Sequence, residues 1–98
     1  MPLLLSVRTP CGILDIAVLR RDRSGIVAIV ECKRNGRVVY ANSRQIHRYK
    51  AIGVPIYGLN DLSHAKKLAL TIFHHHRNDA GKTWAEVSAT IPLQRRFR

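Results

Sequence analysis

Two apolar runs, Ile13 to Leu19 and Ile26 to Val30, stand on either side of the polar stretch Arg21-Asp22-Arg23-Ser24-Gly25. Rich in Val, Ile and Leu and bounded by Gly and charge, they read as two strands of an antiparallel hairpin. A turn centred near Arg23 sets Asp15 on the first strand opposite Glu31, which follows the second run. Two carboxylates directly across a ladder repel each other unless positive charge sits between them. Lys33 can help, because side chains two apart on a strand share a face. A hard divalent cation helps more, since carboxylate oxygens are what Mg²⁺ and Mn²⁺ prefer. The competing reading is a register one residue away, with Asp15 and Glu31 as ordinary strand-end charges.

The rest of the chain builds around this hairpin. Leu3 to Val7 is a short apolar run and Thr9-Pro10-Cys11-Gly12 is turn chemistry, so a first strand feeds into Ile13 to Leu19 and the three form an antiparallel meander ending at Lys33. Arg34-Asn35-Gly36-Arg37 is a hairpin signal, with Arg37 to Tyr40 as a brief returning strand. Asn42 is a good helix N-cap with Gln45 at N3, and Ile46, Tyr49 and Ile52 follow at helical spacing, while Arg44, His47, Arg48 and Lys50 take other faces. Gly53 and Val54-Pro55 end that helix. Val54 to Leu59 is a fourth strand, joined to the third through the helix and therefore parallel to it. Asn60 or Asp61 caps a long helix with a core-facing stripe of Leu62, Ala65, Ala69 and Ile72.

His74-His75-His76 invites a metal reading, but consecutive residues of a regular helix point about 100° apart and cannot share one ion. A solvated helix end is the better account of them. Thr83-Trp84-Ala85-Glu86 matches a capping box opening a short helix, which gives Glu86 a structural role and makes Trp84, the sole tryptophan, the anchor of that helix. The chain closes on a basic stretch, Gln94-Arg95-Arg96-Phe97-Arg98, suited to contact with a nucleic-acid backbone and equally to a solvated end. No repeat or low-complexity segment divides the chain, which reads as one domain over residues 1–98, with a core over about 3–77 and the last helix and basic tail over about 82–98.

Taken in order, Gly12-Ile13-Leu14-Asp15, a strand ending Val30-Glu31-Cys32-Lys33-Arg34, Ser43-Arg44-Gln45 opening a helix, and Gly53-Val54-Pro55-Ile56-Tyr57 resemble the PD-(D/E)XK nuclease superfamily, and within it the small VRR-NUC-type domains. Leu14 stands where that family often has a proline, which is not a ligand. The chain begins almost at once with a strand, so the resemblance supplies no further acidic residue from a preceding helix. It implies a restriction-endonuclease-like α/β core: a three-stranded antiparallel meander, a helix and a fourth parallel strand, flanked by a C-terminal helix. It implies also a site in which Asp15, Glu31 and the main-chain carbonyl of Cys32 hold Mg²⁺ or Mn²⁺. Lys33 would act on the charge that develops in phosphodiester hydrolysis, and Gln45 would position the phosphate or water, although a Gln at N3 needs no role beyond the cap. Arg20, Arg34, Arg37, Arg44 and Arg48 would grip the nucleic-acid backbone on the flanks.

Composition is consistent with such a partner. Across 98 residues, 17 Lys and Arg against 6 Asp and Glu give a formal net charge of +11, while a hydrophobic content of 46% is that of a globular domain. An excess of this size attracts polyanions, nucleic acid first, with DNA favoured over RNA. A membrane is not expected, because no apolar run approaches the roughly 20 residues needed to span a bilayer and Met1 to Leu5 is too short for a signal peptide. Two cysteines without metal-ligand spacing read as reduced thiols in the cytoplasm. The expectation is a metal-dependent endonuclease, as a homodimer or within a larger nuclease complex. The alternatives are a non-catalytic nucleic-acid-binding module on the same fold, and an adaptor that pairs with a protein through a sheet edge or the Trp84 helix.

Overall fold

The computed structural model describes residues 2–32, 44–78 and 80–91. Three antiparallel strands, β1 (Leu3–Thr9), β2 (Gly12–Leu19) and β3 (Gly25–Cys32), lead into α1 (Arg44–Tyr49), which tightens into a 3₁₀ turn over Lys50–Ile52. Gly53, with φ 87°, closes that turn in the left-handed region that a side chain rarely adopts. The chain then returns as β4 (Ile56–Leu59), passes a 3₁₀ turn at Leu62–His64, and continues as α2 (Ala65–His75), β5 (Lys82–Thr83) and α3 (Trp84–Ser88). The strand order is β1-β2-β3-β4, with β4 parallel to β3 and β5 pairing antiparallel with the start of β3. The molecule is a small α/β domain, in which the meander and the parallel fourth strand expected from the sequence are both present.

Strand β3 is buried along almost its whole length and is the centre of the sheet. The strands carry no strict alternation of polar and apolar residues because helices cover both faces. On one face Ala17, Leu19, Ile26 and Ile29 pack with Tyr49, Ile52, Val54 and Val87, which brings α1 and α3 onto the sheet. On the other, Val18, Ala28 and Val30 pack with Ile72 of α2. The switch of Val27 and Ala28 to this second face has a specific cause. Leu19 pairs with Ile26 but Val18 pairs with Ala28, so Val27 is the extra residue of a β-bulge.

Three expectations need correction or lie elsewhere. Leu62 is 84% exposed and drops out of the core-facing stripe of α2, which is packed through Leu68 and Ile72, with Ala65 and the exposed Ala69 along the same side. The reason is that Asp61 caps a 3₁₀ turn, accepting from the Ser63 N–H at 3.0 Å, and its three residues per turn put Leu62 out of phase with the α-helix that follows. The histidine triad is not a uniformly solvated end. The helix stops at His75, and His76, with φ −120° and ψ 32°, is half-buried against Tyr57. The Asn35-Gly36 hairpin, the Asn42 cap and the basic tail lie outside the described residues.

The capping box is formed: Thr83 Oγ1 accepts from the Glu86 N–H at 3.2 Å and Glu86 Oε1 from the Thr83 N–H at 3.2 Å. Trp84 anchors α3 as expected, its indole N–H donating to the Arg23 carbonyl at 2.8 Å. What the sequence did not announce is β5, which lies so close to β3 that a Cβ on Gly25 would run into the Lys82 carbonyl oxygen and stand 2.6 Å from Thr83 Cα. Gly25→Ala should therefore cost about 1–3 kcal/mol through overpacking. Unfolding followed by the fluorescence of Trp84 should show a midpoint at lower urea than wild type, whereas an unchanged midpoint would mean that β5 does not hold to β3.

Candidate functional site

Strands β2 and β3 stay paired as far as Ile16 and Val30. One step further, at Asp15 and Glu31, strand pairing gives way to side chains. The Cys32 N–H donates to Asp15 Oδ2 at 2.8 Å, and the Asp15 N–H points at Glu31 Oε1 at 3.5 Å. Each carboxylate thus reaches the backbone of the opposite strand, and the hairpin forks there. From the fork β2 continues along β1, while β3 continues along β4 with Glu31 beside Gly58 and Cys32 beside Leu59. The β1 ladder is also interrupted at this level: its pairs skip Ser6 and Asp15, and Ser6 takes φ 54°. Asp15 and Glu31 therefore face each other as the register required, with Asp15 half-buried and Glu31 0% exposed.

Helix α1 closes one side of the fork. Tyr49, 1% exposed, donates its hydroxyl proton to the Ile13 carbonyl at 2.8 Å and accepts from Gln45 Nε2 at 2.9 Å. Its ring lies against Gly12, where a Cβ would stand 3.3 Å from the ring edge. Burial pushes the Tyr49 phenol up from its ordinary range; the hydrogen bond from Gln45 opposes this, and the negative charges of Glu31 and Asp15 add to it. The Cys32 thiol is likewise raised, first by burial and then by Asp15 and Glu31. Both groups sense both carboxylates, so Asp15, Glu31, Cys32, Tyr49 and Gln45 form one electrostatic unit.

The other proposed site residues are distributed differently. Arg48 is half-buried on α1, where its charge acts on Tyr49, and Arg44 is exposed at the start of that helix. Arg20 is at the opposite end of the hairpin, where its charge lowers the carboxyls of Asp22 and Glu86 behind the hydrogen bonds that dominate both shifts. Five residues of strand separate it from Asp15, about 16 Å at the usual rise. It therefore belongs to the turn and not to the flank of the pair. Lys33, Arg34 and Arg37 are outside the described residues.

Tyr49 is the site residue that pattern reading missed, since its spacing with Ile46 and Ile52 marks it as core. A usable signal was present: Gln45 and Tyr49 are four apart, hence neighbours on one helix face. Among the described residues no three side chains of His, Cys, Asp or Glu gather to hold a metal ion. What the fork offers is two carboxylates, the hard oxygen donors that suit Mg²⁺ or Mn²⁺. No protein-family model matches the chain, and no curated protein or solved structure matches it. No helix among the described residues is long and apolar enough to cross a membrane.

Tyr49→Phe removes the hydroxyl that ties Gln45 to the Ile13 carbonyl while leaving the ring. The loss should be about 1 kcal/mol in urea unfolding, the worth of an ordinary buried hydrogen bond. A variant as stable as wild type would show that the hydroxyl does not fasten α1 to the fork.

Proposed function

We propose that this chain is a metal-dependent endonuclease that hydrolyses phosphodiester bonds in nucleic acid, DNA in preference to RNA, with the fork between β2 and β3 as its active site. The observation that carries this reading is the opposition of Asp15 to a wholly buried Glu31 at a point where paired strands part. Two carboxylates confined together are costly unless a cation joins them, and the net charge of +11 supplies the attraction for a polyanionic substrate. The restriction-endonuclease-like core belongs to the same proposal, as do a cytoplasmic location and assembly as a homodimer or within a larger complex.

Asp15, Glu31 and the main-chain carbonyl of Cys32 would hold Mg²⁺ or Mn²⁺. When bound, such an ion neutralises charge on the phosphate and makes water a nucleophile at neutral pH. The chain's own groups divide the remaining work. Lys33 stabilises the charge that builds on the phosphorane or orients the attacking water. Gln45, held by Tyr49, positions the phosphate or water. Arg44 and Arg48, with Arg34 and Arg37, grip the backbone and set affinity without reading sequence. The second reading, a non-catalytic nucleic-acid-binding module, is favoured by one observation: among the described residues no three His, Cys, Asp or Glu side chains are grouped so that they could hold a metal ion.

Incubation of duplex, single-stranded and branched DNA with the protein separates the two, since the nuclease cuts with Mg²⁺ or Mn²⁺ and is silent with chelator, whereas the module only binds. Metal alone, at about one hundred times its Kd, should stabilise the fold by about 2.7 kcal/mol. Asp15→Asn should abolish that rise in Tm, and a response that survives the substitution would remove the fork from consideration. Lys33→Met keeps the apolar stem and removes the ammonium, so cleavage should fall by a factor of about 10² to 10³ while metal binding is kept. Cleavage at the wild-type rate by Lys33→Met would place the activity elsewhere.

A further inference from the structure

Away from the fork, the end of α2 and strand β4 bring three donor atoms together. Tyr57 Oη lies 3.0 Å from His76 Nε2 and 3.4 Å from His75 Nδ1. The arrangement depends on the helix stopping at His75. His76 has left the helical conformation, so its ring turns back edge-on to Tyr57, with centroids 6.0 Å apart, instead of pointing about 100° away from that of His75. His74 takes no part, because its Nδ1 faces Arg77 Nη2 at 3.0 Å. We propose that Tyr57, His75 and His76 form a binding site for a borderline divalent metal ion of the zinc class, distinct from the hard-cation site at the fork.

The distances fit this chemistry. With metal–ligand bonds of about 2.0–2.1 Å, the edges of a tetrahedron are about 3.3 Å long, and two of the three donor–donor distances, 3.0 and 3.4 Å, lie close to that length. The third needs the two imidazoles, 6.5 Å apart between centroids, to draw closer, and His75 is exposed and can turn. Two imidazole nitrogens and a phenol oxygen suit Zn²⁺, Co²⁺ or Ni²⁺ and suit Mg²⁺ poorly. The fourth position is left to water or to a donor from another molecule. The site also has something to do in this fold. Only Ile72 of α2 is fully buried, and an apolar groove of about 340 Å³, lined by Leu3, Ile16, Val30, Leu68 and Phe73 among others, remains between the helix and the sheet. A metal bridging β4 to the end of α2 is a latch for a helix that packing holds lightly.

The test is a titration of the full chain with Zn²⁺ at neutral pH in a large excess of Mg²⁺, read by calorimetry, by Tm and by the ultraviolet difference band of tyrosinate. One equivalent should bind, Tm should rise, and a tyrosinate band should appear as Tyr57 loses its proton to solvent. Tyr57→Phe should lose the band and bind more weakly. His75→Gln, at an exposed position, and His76→Gln should each weaken binding by at least about tenfold, whereas Cys32→Ser should leave the response intact. Unchanged binding in both histidine variants, loss of the response in Cys32→Ser, or a band that survives Tyr57→Phe would overturn the assignment. None of these outcomes depends on nuclease activity.

Discussion

The extra residue at Val27 decides what the hairpin can do. Its turn is closed by Arg20 and Gly25, with the Arg20 N–H donating to the Gly25 carbonyl at 3.0 Å, and Arg23 takes the left-handed conformation within it. Continued without interruption, that closure would set Asp15 opposite Val30, and Glu31 would have no carboxylate partner. The bulge moves β3 on by one residue, so that Ile16 meets Val30 and Asp15 meets Glu31. The same step sorts the core. It leaves Ile26 and Ile29 on the face of α1 while Val27, Ala28 and Val30 pack on the side of α2.

Around the fork, the neighbouring groups hold the two carboxyl groups in one place. Backbone N–H groups of Asp15 and Cys32 turn to carboxylate oxygens where ladder bonds would otherwise form. Tyr49 is buried beside them and tied to the Ile13 carbonyl, which fixes α1 and with it Gln45 and Arg48 near the opening. At the other end of β3, Gly25 lets β5 approach closely, and Trp84 fastens α3 to the turn. The central strand is thus pinned at its start by packing and hydrogen bonds and ends, on the other side, at the two carboxyl groups of the fork.

Much of this was legible in the residues. The apolar runs and the turn chemistry gave the meander, Gly53-Val54-Pro55 gave the end of α1 and the start of a parallel β4, and Thr83 with Glu86 gave the capping box. The opposition of Asp15 and Glu31 was also readable, though through a turn taken as symmetric about Arg23; the bulge made up the difference. Bulges carry no fixed signature when the extra residue is a valine, so Val27 could not be found by pattern. Strand β5 escaped because two residues are too few for alternation, and the 3₁₀ turn before α2 escaped because Leu62 has the right spacing for a helix that has not yet begun. The spacing of Tyr49 with Ile46 and Ile52 identifies a buried ring but not what its hydroxyl holds.

The unifying physical claim is that the fork binds a divalent cation between Asp15 and Glu31. Paramagnetic broadening by substoichiometric Mn²⁺ in the amide spectrum of the protein tests this most directly, because the effect is confined to nuclei near the ion. The amides of Asp15, Glu31 and Cys32 should vanish first, followed by those of Gly58 and Leu59 on the adjoining strand, while Ser24 and Thr83 at the far end of β3 stay sharp. Broadening centred on any other part of the chain, or spread evenly over it, would contradict the claim.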